Sequence, residues 1–145
     1  MQPVPIVTTT NARLPVLAGV LGRAFLNDPM IRWPMADAPD METRIGQVFT
    51  AIYTEFMDKG TMWEAGDGAG FAHWVPPGGA AEALESTDSI MDSLRPLTQD
   101  GGARYEVMWE WIEARIPADV WYLDMIGVDP AQQGQASARR CSGSD

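Results

Sequence analysis

The sequence predicts an α/β (α+β) domain in which a mixed, mostly antiparallel sheet is flanked by helices. Three observations carry that expectation. Two stretches place apolar residues at helical spacing, two short β-prone runs surround Gly66-Asp67-Gly68, and a β-branched and aromatic run closes the readable part of the chain at residues 120–128.

The elements follow in order. Val4, Ile6 and Val7 form a short extended run, and Pro5 confines it to a strand start or a sheet edge. Leu14, Leu17, Ala18, Leu21 and Phe25 then keep i, i+3, i+4, i+7 spacing, with Pro15 suited to a first helical turn and Asn27-Asp28-Pro29 stopping the helix near Leu26. Residues 29–40, with three prolines, Trp33 and two methionines, read as an irregular apolar loop over a cleft. Met41, Ile45, Val48, Ile52 and Phe56 write a second helix that ends at Lys59-Gly60. A hairpin follows, TMWEA and GFAHWV, whose Asp67-Gly68 turn tolerates positive φ and whose end is set by Pro76-Pro77. Weaker helical patterns run from Leu84 to Leu97 and from Tyr105 to Ile116, the second with a stripe of Val107, Met108, Trp111, Ile112 and Arg115. The run VWYLDMIGV is a strand, closed by Asp129-Pro130, and a sheet ending on it expects a crossover helix and a further strand.

Composition narrows the function classes. With 145 residues, 46% hydrophobic and 21% charged, the chain suits one globular domain rather than a disordered or membrane protein. It has no run long enough to span a bilayer and no leader-like N-terminus, so a cytoplasmic location is expected. The single cysteine, Cys141, forms no internal disulfide and fits a reducing compartment. A net charge of −10 opposes nucleic-acid binding and is compatible with steering of a cationic substrate, although acidity for solubility is the favoured explanation.

Residues Trp121–Gln135, WYLDMIGVDPAQQGQ, resemble the central motif of the GNAT N-acetyltransferases, and the RAFLNDP, second-helix and HWVPPG segments extend that similarity from Leu14 to Gly134. The resemblance implies the N-terminal part of a GNAT fold over residues 1–135 and transfer of an acetyl group from acetyl-CoA to a small-molecule amine. In the family the strand matching Met125, Ile126, Gly127 and Val128 offers backbone groups to the pantetheine arm and a backbone N–H to the oxyanion. The loop matching Gln133, Gly134, Gln135, Ala136 and Ala138 cradles the pyrophosphate. Backbone N–H groups at a helix N-terminus suit that anion, and small residues let it approach.

Ala136 departs from the family pattern, which has glycine there, and residues 136–145 lack the apolar periodicity of the family's helix. One G+C-rich back-translation of those residues, read with a single added G, restores both glycines and a leucine face. The expectation is therefore a frameshift after Gln135, an aberrant disordered tail, a missing C-terminal helix and strands, and impaired activity. The exposed edge of the last strand would then allow a homodimer. A non-catalytic remnant or small binding domain is the alternative.

For proton transfer, the candidates are Glu64, Glu110 and Asp124; Glu110 also fits a solvated helix face and Asp124 an inward structural hydrogen bond. His73 reads as a core or rim residue, the six tryptophans first of all as core, and no metal-ligand spacing is present.

Overall fold

The computed structural model describes residues 3–35, 37–79 and 87–134. Its four strands, β1 (Ile6–Thr8), β2 (Met62–Ala65), β3 (Gly70–Val75) and β4 (Tyr122–Val128), lie in the order β1-β2-β3-β4, with every pairing antiparallel. Among the described residues five α-helices accompany them: α1 (Leu14–Ala24), α2 (Pro29–Arg32), α3 (Met41–Tyr53), α4 (Thr87–Leu94) and α5 (Ala103–Glu113). The expected helix start at Leu84, the residues Gln135, Ala136 and Ala138, and the expected tail lie outside the described residues. Among the described residues β4 has one paired neighbour, so its other edge is open.

Strand alternation decides which side of the sheet the helices cover. Met62, Phe71, His73 and Met125 face α1 and α3, while Ala65 and Ala72 face the opposite side and pack with Val4, Ile6, Leu123 and Ile126. The hairpin turn is built as expected, with Gly66, Asp67 and Gly68 all at positive φ.

Helix α1 crosses α3 closely because glycine faces backbone on both sides. A methyl group on Gly22 would lie 2.6 Å from the Glu42 carbonyl oxygen, and one on Gly46 would lie 2.9 Å from that of Ala18. Alanine gains about 1 kcal/mol over glycine in a helix, but pushing two backbones apart costs about 1–3 kcal/mol or more. The steric term wins, because backbone cannot rotate out of the way as a side chain can. Gly22→Ala is therefore expected to destabilise the chain, measured as a lower urea midpoint; an unchanged or higher midpoint would contradict this helix contact.

Three local expectations change. Residues 29–40 are not wholly irregular: Asp28 Oδ1 accepts from the N–H groups of Met30 and Ile31, Pro29 sits in the first turn, and a single helical turn forms. The helix starting at Met41 ends at Tyr53 rather than at Lys59, and residues 54–60 continue as turns that still bury Phe56 and Met57. Thr54 Oγ1 donates to the Thr50 carbonyl there, a local bond that competes with regular helix. On α5 the anticipated stripe divides. Val107 and Trp111 are 60% and 59% exposed, and the helix instead turns Tyr105 and Met108 to the core. The Arg115 guanidinium lies 3.9 Å from the Trp111 ring centroid and covers part of it.

The β3–β4 ladder breaks its register between His73 and Trp74, which pair with Met125 and Leu123 and leave Asp124 as the extra residue of a bulge. Strict alternation would send Asp124 to the face opposite Met125. The bulge brings it to the helix-covered face beside His73.

Candidate functional site

A cavity of about 310 Å³ lies between the open side of β4 and helices α3, α4 and α5. Its walls are apolar for physical reasons already present in each element: Phe49 and Ile52 come from one face of α3, Ile90, Met91 and Leu94 from one face of α4, and Met108 and Ile112 from α5. Residues Leu123 to Ile126 close it on the strand side, and the α2 turn contributes Met30 and Ile31. Among the described residues, the carboxylates of its lining are Asp28 and Asp124, and no lysine, arginine or histidine lines it.

Asp124 is held tightly. Its Oδ2 accepts from the Tyr53 hydroxyl at 2.8 Å and lies 3.0 Å from His73 Nδ1. An imidazole protonated on Nδ1 donates to Asp124 and leaves Nε2 to accept from the Thr61 hydroxyl at 3.3 Å. Both bonds to Asp124 fall on Oδ2, so among the described residues Oδ1 accepts none. His73 is itself 2% exposed, enclosed by the Tyr53 and Phe56 rings with centroids 5.2 and 5.0 Å away. The result is a carboxylate at a cavity wall, braced from behind by two buried donors. It can bind a cation or take a proton with its orientation already set.

The tyrosines respond to this environment. Burial first, and then the negative charge and hydrogen bond of Asp124, push the Tyr53 hydroxyl well above its ordinary range, which keeps it a protonated donor. Burial raises Tyr105 as well, and burial followed by the Asp124 charge raises Tyr122. These are the three tyrosines of the chain. Because each folded value lies above the unfolded one, their contribution is intact below about pH 10, the ordinary phenol value, and is lost as pH rises through the folded values. Alkaline titration should show tyrosinate absorbance appearing with loss of the folded circular dichroism signal. Tyrosinate formation in a chain that stays folded near pH 10 would contradict the raised values.

Tyr105 is 3% exposed and lines the cavity, and among the described residues its hydroxyl has no hydrogen-bond partner. A buried hydroxyl without a partner costs about 1–3 kcal/mol. Tyr105→Phe removes that cost and keeps the ring, so it is expected to raise stability by about 1 kcal/mol in chemical denaturation; a loss of stability would show that the hydroxyl is bonded in solution.

The other sequence candidates separate. Glu110 is exposed on α5, outside the cavity lining, in an adjoining depression with Glu106 and Glu113. The structure does not bring it to Asp124. Glu64, 3% exposed, is engaged by Arg13, whose Nε donates to Oε2 at 3.0 Å and whose Nη2 meets Oε1, so it is an ion-pair member rather than a free base. Met125 and Ile126 line the cavity, whereas Gly127 faces α1, where a methyl group would lie 2.5 Å from Leu21 Cδ2. Val128 pairs with Gly70, Gln133 donates from Nε2 to the Val128 carbonyl at 3.3 Å, and Gly134 takes φ +85° in the turn that follows.

That turn is anchored. Asp129 caps the one-turn helix Pro130–Gln132 through the Ala131 N–H and accepts from Arg23 of α1 at 2.7 Å. The Arg23 bond, then the Ala131 N–H, lower the Asp129 carboxyl below its ordinary value.

Sequence reasoning missed Tyr53 and undervalued His73. One signal was available, because alternation from Phe71 places His73 on the buried face, where a polar ring needs partners. Among the described residues, no group of three or more His, Cys, Asp or Glu is arranged to hold a metal ion, and no helix is long and apolar enough to cross a membrane. Compared with known proteins, the sequence matches no family model and no curated protein.

Proposed function

We propose that this chain carries the N-terminal part of an N-acetyltransferase of the GNAT type, with acetyl-CoA as co-substrate and a small-molecule amine as acceptor. The observation that supports it best is Asp124, a braced carboxylate whose Oδ1 is unbonded among the described residues, on the wall of an apolar cavity beside the β4 edge that is open among them. Acetyl-CoA supplies the acyl group as an activated thioester. Met125 and Ile126 provide an apolar wall suited to its pantetheine arm, and the Arg23–Asp129 pair holds the start of the loop in which Gln133 and Gly134 stand.

Asp124 binds the protonated amine and takes one proton from it, which frees the nitrogen lone pair for the thioester carbon. As the C–N bond forms and the C–S bond breaks, sulfur takes the electron pair and the remaining excess N–H proton, so amide and thiol are the products. Tyr53 and His73 act as positioning residues that keep Asp124 from rotating away. Met125, Ile126 and their neighbours exclude water from the reacting atoms.

A thermal-shift titration with acetyl-CoA tests the reading, because a ligand that binds only the folded state raises its melting temperature. A rise is expected. No rise at millimolar acetyl-CoA would sink it and favour the second reading, a non-catalytic binding domain, for which the almost wholly apolar cavity wall speaks. Pairing of two copies through the β4 edge belongs to the same proposal, and sedimentation of the chain would detect it.

A further inference from the structure

We infer that the cavity takes a primary amine with a single positive charge and a compact apolar body, and that it discriminates against polyamines, acids and neutral isosteres. This names the acceptor class of the transfer reaction proposed above and rests on that reading for its role, though the binding itself does not.

Size comes first. At about 310 Å³ the cavity is at the low end of the roughly 300–1,000 Å³ of small-molecule sites, so it encloses a small ligand rather than a chain segment. Wall chemistry comes second. The side chains of Phe49, Ile52, Ile90, Leu94 and Ile112 offer no polar partner, so beyond Asp124, the Tyr105 hydroxyl and the Trp109 ring N–H a hydroxyl-rich or multiply charged ligand would lose its water with little recompense. Charge comes third. Among the described residues the lining holds carboxylates and no cation, and the Asp28 side chain already caps α2 through Oδ1, which leaves Asp124 as the anion with an unbonded oxygen there. A single ammonium meets that oxygen while its apolar body fills the rest. An acid would face the same carboxylate with no compensating cation.

A hydrogen bond to a charged group contributes about 1.5–3 kcal/mol, equal to roughly a tenfold or greater gain in affinity. The experiment is calorimetric titration of the chain, without acetyl-CoA, with phenethylamine, phenethyl alcohol, hydrocinnamate and spermidine. Phenethylamine is expected to bind at least about tenfold more tightly than the other three. Asp124→Asn is expected to bring it down to the level of the alcohol. Met108→Trp, a half-buried α5 position where a larger ring can enter the cavity, is expected to block it while circular dichroism stays native.

Equal affinity for the amine and the alcohol would overturn the inference, as would spermidine binding as tightly as phenethylamine, which would show only general attraction to an acidic chain. Phenethylamine binding unaffected by both substitutions would overturn it too. Discrimination for the amine with no thermal response to acetyl-CoA would uphold this inference and sink the transfer reading. A response to acetyl-CoA with no amine discrimination would do the reverse.

Discussion

On the transfer reaction proposed above, asparagine at Asp124 is expected to lower kcat/KM for phenethylamine by about two to four orders of magnitude, the usual contribution of a positioned general base. The substitution is chosen for its shape. An amide oxygen at the Oδ2 position still accepts from the Tyr53 hydroxyl and from His73 Nδ1, so the bulge and the buried pair behind it are preserved. What is lost is the charge that attracts the ammonium and the basicity that takes its proton. Steady-state kinetics should therefore show a higher KM and a lower kcat together, with the circular dichroism spectrum unchanged. A loss of only a few-fold, or a loss confined to KM, would remove Asp124 from proton transfer and leave it a binding residue.

Alanine at Phe71 is expected to produce the largest loss of stability, about 3–5 kcal/mol. Phe71 is fully buried in the core formed by α1, α3 and the sheet, so the missing ring takes away transfer free energy and leaves a cavity that rigid strands on both sides cannot close. Domains of this size are stable by only about 5–15 kcal/mol, and each kcal/mol corresponds to about 2–4 °C, so a fall in melting temperature of about 6–20 °C should follow. A shift within the error of the measurement would mean that this part of the sheet is not packed as described. A conservative control, Phe71→Leu, fills most of the space and should lie between the two.

Much of the fold was legible from local chemistry. Both long helices before the hairpin carry apolar residues at helical spacing, and their buried faces, Leu17 and Leu21 on α1 and Ile45 and Val48 on α3, are those the spacing marks. The hairpin follows from Asp67-Gly68, whose tolerance of positive φ is a property of the residues themselves, and the strand at Tyr122–Val128 follows from its β-branched and aromatic content. Asp124 is the single acidic residue of that strand and one of three carboxylates considered for proton transfer.

Distance in sequence hid the rest. Tyr53 and Asp124 are separated by 71 residues, and His73 and Asp124 by 51, so no periodicity or spacing rule joins them. The bulge that turns Asp124 toward them is a property of two paired strands, and neither strand alone encodes which residue is left over. Likewise, α5 carries apolar and aromatic residues on more than one side, at Tyr105, Val107, Met108, Trp109, Trp111 and Ile112, and packing at Tyr105 chose its buried side and left Trp111 in solvent. The sequence alone determined the two long helices before the hairpin, the hairpin itself and the last strand, and the faces that α1 and α3 bury, because those are set by neighbours within a few residues. Tertiary structure alone decided that a tyrosine, a histidine and an aspartate meet at one cavity wall, because that meeting requires helix α3 and strands β3 and β4 to be packed together first.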